Sequence, residues 1–244
     1  MTTVLIVLPT VSEIPLREEV GVPVGFGAQE LVVPYHLFLE HGLEVDIATP
    51  YGKPATLDTT SLDPCCHGGD IGRALNLKEQ LYEIEGWQAP KSLGRLNLST
   101  VEYRAILFLD GFESMDDLSD STAVGNMVKR VLARSGLVGA LSHGQAALLS
   151  VRHGEQWQFA GYHMTCLSLG EEKKLGREWA LANRLAAEGA ELTFAAPGEA
   201  HVVIDRQLCT GQNSASAAKL GWEMARRLKK LAARDKASCG TPCG

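Results

Sequence analysis

Apolar and polar positions along the chain alternate between two patterns. One is a short unbroken apolar run, and the other is a longer stretch with apolar residues at helical spacing. "VLIVLP" (4–9) is of the first kind and reads as a buried parallel strand. "GAQELVVPYHLFLEHG" (27–42) is of the second kind and closes on Gly42, a helix stop. Pro34 inside it predicts a kink or a restart. "LEVDIATP" (43–50) returns to strand, and residues 51–98, punctuated by Gly, Pro and Asp, predict loops and short helices. "AILFLDG" (105–111) is a third strand, "STAVGNMVKRVLARSG" (121–136) an amphipathic helix, and "LVGALS" (137–142) a fourth strand that leads into a helix at "HGQAALLSVR". A helix over 178–190 follows, then strand-like pieces at "LTFAA", "HVVID" and "QLCTG". A long helix spans 214–236, with its basic residues late, where they complement the helix dipole. Residues 237–244 read as a flexible tail.

Strands alternating with helices define an α/β fold: a doubly wound, mostly parallel sheet with helices on both faces. No linker or internal repeat divides residues 1–236, which read as a single domain. In such sheets the ligand crevice lies at the carboxyl ends of the strands. That rule singles out "GALSHGQAALLS" (139–150), where Ser142 ends a strand and His143 begins a helix. A side chain on so sharp a turn projects into the crevice, and the helix amino terminus offers backbone N–H groups to an anion. A cysteine there would act as a thiolate. A serine needs a base within hydrogen-bonding reach. Spacing alone favours the plainer reading, that Ser142 is a helix N-cap.

Composition narrows the partners. The 244 residues are 45% apolar, enough for a sizeable core, and the formal charge of -6 gives no reason to expect nucleic acid or an anionic membrane. No apolar run approaches a membrane span, and "MTTVLIVLPT" lacks a basic leader, so a cytoplasmic location is expected. Six cysteines in such a chain read as thiols. Cys65, Cys66, His67 and Asp70 bring ligand-type side chains together, but no second ligand pair marks a metal site, and no G-x-G-x-x-G marks a dinucleotide. The basic run "RRLKKLAAR" (226–234) reads as a solvated helix face.

Three segments in order resemble the ThiJ/PfpI superfamily, in particular its branch of heat-shock-type chaperones with glyoxalase III activity. "GFGAQELVVPYHLFLEHGLEVDIATPYG" resembles the family's entry, with a glutamate ahead of a Pro-Tyr helix. "ALSHGQAAL" resembles its elbow, normally Ala-x-Cys-His-Gly-Pro-Ala-Ala-Leu, and "VVIDRQLCTGQNSASA" resembles its late segment. The resemblance spans roughly residues 3–232. It implies a flavodoxin-like, class I glutamine amidotransferase-like sandwich, a homodimer, and no cofactor or metal. It also implies a site built from the elbow residue, the histidine after it and the early glutamate: Ser142, His143 and Glu30. A second acid orients the histidine in the family, and Glu171 or Glu172 stands in that segment.

Two departures matter. Ser142 stands where the family has its cysteine, as the natural residue or as an engineered replacement. "FLDGFESMDDL" (108–118) stands where the family has Gly-Gly-His-Gly-x-x-x-Asp-Leu. Gly111 is retained and can offer its N–H to an oxyanion, while Phe112 replaces the histidine and Glu113 the next glycine, and a phenyl ring in place of an imidazole suits a more apolar substrate than methylglyoxal.

Three functions are therefore expected in order. The first is an enzyme acting on a small carbonyl or acyl substrate, of hydrolase, hydratase or lyase type. The second is a non-catalytic holdase or ligand-binding homodimer. The third is a tailoring enzyme of a biosynthetic pathway, argued from Phe112 alone. Cys166, near the site in sequence order, reads as a buried inert thiol or, less simply, as a displaced nucleophile.

Overall fold

The structure is a computed structural model that describes residues 2–10, 25–96, 101–109, 118–174 and 180–239. Its elements in chain order are β1 (Thr3–Val7), α1 (Ala28–Glu40), β2 (Glu44–Thr49), α2 (Ile71–Glu83), β3 (Lys91–Ser92), β4 (Tyr103–Phe108) and α3 (Thr122–Ala133). After these come β5 (Leu137–Leu141), a 3-10 helix at Ser142–Ser150, α4 (Leu169–Lys174), α5 (Leu181–Ala187), β6 (Val202–Asp205), β7 (Leu208–Gly211) and α6 (Ala217–Cys239).

Among the described residues the seven strands form one sheet in the order β6-β7-β5-β4-β1-β2-β3, parallel except for the β6–β7 hairpin. The unbroken apolar runs are explained by burial on both faces. Leu5, Val7, Ile106, Phe108, Val138 and Ala140 enter one core with Val124, Val128 and Val131 of α3. Val4, Ile6, Ala105, Leu107, Leu137 and Leu141 point the other way, into a core with Leu31 and Phe38 of α1 and Leu220, Met224 and Leu228 of α6. Strand side chains alternate between faces, so a strand buried on both sides needs apolar residues at every position.

The pattern reading holds for most elements and is corrected at several. α1 runs unbroken through Pro34, which packs against Gly221 of α6: a Cβ at Gly221 would lie 3.0 Å from the Pro34 Cα. Packing of this close helix pair keeps the turn that proline weakens. α1 ends as expected, with Gly42 left-handed (φ 72°) and the Leu43 N–H donating to Phe38 at 3.0 Å. Residues 51–98 hold a full 13-residue helix, α2, whose N-cap Asp70 accepts from the Arg73 N–H, and an edge strand, β3. The segment after β5 is a 3-10 rather than an α-helix. Of "LTFAA" (192–196), only Leu192 is strand, in a two-residue strand Glu191–Leu192 paired with His163–Met164 outside the main sheet. α6 continues to Cys239, past the expected end at 236, and the remainder of the expected tail, 240–244, lies outside the described residues.

Candidate active site

β5 delivers Ser142 to the carboxyl edge of the sheet, where the chain turns into the 3-10 helix. Ser142 has φ 58°, in the left-handed region that residues other than glycine enter at a cost. Gly144 makes the turn possible. A Cβ there would sit 2.4 Å from the Phe108 carbonyl oxygen and 3.1 Å from that of Leu109, so only glycine lets the elbow lie on the end of β4. Gln145 fixes the turn from beneath, its Nε2 within 2.9 Å of the Thr165 and Gly211 carbonyls.

The Ser142 side chain does not cap the helix. Its hydroxyl donates to Glu30 Oε1 at 2.8 Å, and both residues are 1% exposed. The N-cap reading is thereby corrected: the left-handed φ turns the hydroxyl away from the helix's own N–H groups and toward α1. Glu30 sits in the first turn of α1, and the same Oε1 accepts from the Ser214 hydroxyl at 2.5 Å. Two hydroxyls on one oxygen hold the carboxylate in a fixed orientation.

The Ser142 hydroxyl is directed at Glu30. The imidazole Nε2 instead lies 3.2 Å from Glu172 Oε1, with both side chains buried. Glu172 in turn accepts from the Ala180 N–H at 2.9 Å and the Leu181 N–H at 3.2 Å, the start of α5. The choice left open between two adjacent acids therefore falls to Glu172 on geometry.

Glu171 faces another way. It accepts from the Ser168 hydroxyl (2.7 Å), the Gly198 N–H (2.9 Å), Gln212 (2.9 Å) and Asn213 (2.8 Å). Burial pushes its carboxyl upward, but the hydrogen bonds from Ser168, Gly198 and Asn213 outweigh burial and hold it below the usual range. It staples α4 to the segment after β7 and does not reach His143.

Sequence reasoning missed Ser214, Gln212, Asn213 and Gln145. The first three stand together in "GQNSAS", and three adjacent polar residues between a buried strand and a helix were the available signal. Gly111, Phe112 and Glu113, the expected oxyanion and substrate contacts, lie outside the described residues, and with them the basis of the tailoring-enzyme reading. Cys166 is fully buried and its thiol is pushed well above the ordinary value, first by burial and then by the nearby charges of Glu172 and Glu171. It is no displaced nucleophile. Cys65 and Cys66 are exposed free thiols, and among the described residues no three His, Cys, Asp or Glu side chains group as metal ligands. Among the same residues no helix is long and apolar enough to cross a membrane.

Comparison with known proteins bears on the family and the fold. The profile of the DJ-1/PfpI family matches residues 20–227. A glutamine amidotransferase-like class 1 domain-containing protein 1 of Danio rerio is 30% identical over 173 residues, which cover 68% of this chain and 74% of that one. The protein/nucleic acid deglycase HchA of Staphylococcus aureus (strain bovine RF122) is 27% identical over 206 residues, covering 79% of this chain and 68% of the deglycase. The crystal structure of the rapid encystment protein REP24 of Francisella tularensis superposes with a TM-score of 0.77 at 25% identity, covering 93% of this chain and 99% of that one. Glyoxalase III of Candida albicans superposes with a TM-score of 0.77 at 19% identity, over 92% and 96% of the two chains, a likeness of fold alone.

Proposed function

Because the chain belongs to the DJ-1/PfpI family, we propose that it is an enzyme acting on a small carbonyl or acyl compound, with the Ser142 hydroxyl as nucleophile and Glu30 as its base. The observation that carries this reading is the contact of 2.8 Å between Ser142 Oγ and Glu30 Oε1, made from a strained elbow. The deglycase relative supports a carbonyl or acyl substrate.

With an acyl substrate the chemistry balances as follows. Ser142 Oγ bonds to the acyl carbon, and its proton passes to Glu30. The carbonyl oxygen takes the electron pair and lies toward the N–H groups that open the 3-10 helix. The leaving group departs with the Glu30 proton. Water then attacks the acyl-serine, gives its proton to Glu30, and Ser142 recovers a proton from Glu30 as the acid is released. With a serine in place of the family cysteine, no thiolate is stored, so base strength at Glu30 limits the attack. Ser214 orients the base, and Glu172 fixes the His143 ring beside the elbow.

The test is turnover of Ser142→Ala, Ser142→Cys and Glu30→Gln on a panel of small aldehydes and activated esters. Ser142→Ala and Glu30→Gln are expected to lose about 10²-fold or more. If both Ser142 variants match the parent on every substrate, the nucleophile reading fails.

A second reading, a holdase, is favoured by one surface feature. A cavity of about 560 Å³ is lined by Leu169, Ala182, Ala186, Leu192, Phe194 and Pro197, and Leu169 and Phe194 are exposed. On this reading Phe194→Ser weakens suppression of client aggregation while Glu30→Gln leaves it intact. Dependence on Glu30 would count against it.

A further inference from the structure

A groove at the amino-terminal end of β5, the end opposite the elbow, gathers positive charge against the sign of the whole chain, whose formal charge is -6. It is a cavity of about 490 Å³ lined by Arg226, Arg227, Lys230 and Arg234 of α6 and by Arg206 of the β6–β7 turn. Two acids answer these five cations. Glu223 lies 2.7 Å from Arg226 and 4.0 Å from Arg227, and Asp205 lies 2.9 Å from Arg206. Among the described residues Lys230 and Arg234 have no acidic partner.

A solvated helix face turns its cations outward and leaves their N–H groups to water. This groove does otherwise at two points. The Nε atoms of Arg226 and Arg227 are buried and have no hydrogen-bond partner. Protein atoms cover these two Nε groups, while the side chains as a whole stay about a third exposed (36% and 35%), so the outer Nη groups are what they offer an oxyanion in the groove. The opposite wall is rigid. Arg206 is held by Asp205 and by the Gly161 carbonyl at 2.7 Å, and its guanidinium stacks 3.4 Å from the Tyr162 ring centre. Strain gathers here too. The non-glycine residues with left-handed backbone include Ser142 of the elbow, and two others, Ser135 (φ 56°) and Arg206 (φ 53°), both line this groove.

We propose that the groove binds a small phosphorylated organic molecule, its phosphate or diphosphate held between Arg206 and the α6 cations and its organic part resting on Leu137 and Leu231. Five cations from two elements exceed what a single carboxylate requires, and the several oxygens of a phosphate can be met by the α6 cations on one side and, on the other, by Arg206, whose Nε and one Nη stay with Asp205. The cavity is larger than a bare phosphate and lies within the range of small-ligand sites, and two of its lining residues are leucines. The groove does not include Ser142 or Glu30, so the proposal stands apart from the catalytic reading.

The test is calorimetric titration of the full chain with adenosine diphosphate, inorganic pyrophosphate and adenosine at near-physiological salt. The diphosphates bind and adenosine does not. The double variant Lys230→Glu/Arg234→Glu, both exposed positions, weakens the diphosphates by about tenfold or more, and so does Arg206→Gln from the other wall. Lys219→Glu, on the same helix outside the groove, leaves affinity unchanged. Melts followed by circular dichroism establish that each variant is folded. The proposal is overturned if neither diphosphate binds, if Lys219→Glu weakens binding as much as the groove variants, or if heparin binds the groove while the diphosphates do not.

Discussion

Replacing Ser142 by glycine and, separately, by alanine isolates the elbow's strain from its hydrogen bond. Both changes remove the hydroxyl that donates to Glu30 at 2.8 Å, while the Ser214 hydroxyl, at 2.5 Å from the same oxygen, stays in place. Loss of a hydrogen bond to a charged group costs about 1.5–3 kcal/mol in either variant. The variants differ in the backbone. Alanine keeps a Cβ at φ 58°, where a side chain costs roughly 1 kcal/mol, and glycine does not. The glycine variant is therefore expected to be more stable than the alanine variant by about 1 kcal/mol. At a right-handed position inside a helix the order is the reverse, because glycine there loses on chain entropy. In urea unfolding, with a slope of about 2 kcal/mol/M, the two midpoints separate by about 0.5 M. Equal midpoints, or alanine above glycine, would show that position 142 is not held left-handed in solution, and the projecting hydroxyl would lose its structural basis.

Gly144→Ala forces a Cβ to within 2.4 Å of the Phe108 carbonyl oxygen, so the elbow must move. A loss of about 1–3 kcal/mol in urea unfolding is expected, together with loss of turnover. Glu172→Gln replaces one of two acceptor oxygens by an NH₂ that must face either Ala180 or Leu181 and His143, all of which now donate to or pair with the carboxylate; about 1–3 kcal/mol is lost, measured the same way. Glu171 governs the acid limb of stability. Its folded carboxyl releases its proton more readily than in the unfolded chain, so its contribution is complete above the ordinary value of about 4.3 and is lost as pH falls through the depressed folded value. In a pH series of urea midpoints Glu171→Gln should flatten that fall, and an unchanged slope would refute the assignment.

The sheet was legible because its strands are buried on both faces and therefore spelled as unbroken apolar runs, from "VLIV" to "LVGAL". α2 was harder: Ala74, Leu77 and Leu81 are its buried residues, and the Gly-rich segment before it obscured so sparse a stripe. Pro34 predicted a break that packing against Gly221 overrides, a tertiary effect invisible in a local window. Around the elbow the fold brings together residues that the sequence singled out, Ser142 with Glu30 and His143 with Glu172, but their direction was not legible. Spacing favours a cap at Ser142 over an elbow, because the sign of φ that separates them is not written in it. Glu171 and Glu172 are neighbours on one helix and point about 100° apart, so only the packing of α4 decides which meets His143. Ser214 lies 184 positions from Glu30 in the chain and meets it only because the α1 and α6 ends share the sheet's carboxyl edge.

The central claim, that the Ser142 hydroxyl attacks and Glu30 takes its proton, is tested most directly by peptide mass mapping after brief exposure to p-nitrophenyl acetate. The account expects one acetyl group on the peptide carrying Ser142, formed as p-nitrophenolate leaves, absent from Ser142→Ala and strongly slowed in Glu30→Gln. No acetyl group on that peptide, or the same rate of labelling in Glu30→Gln as in the parent, would contradict it.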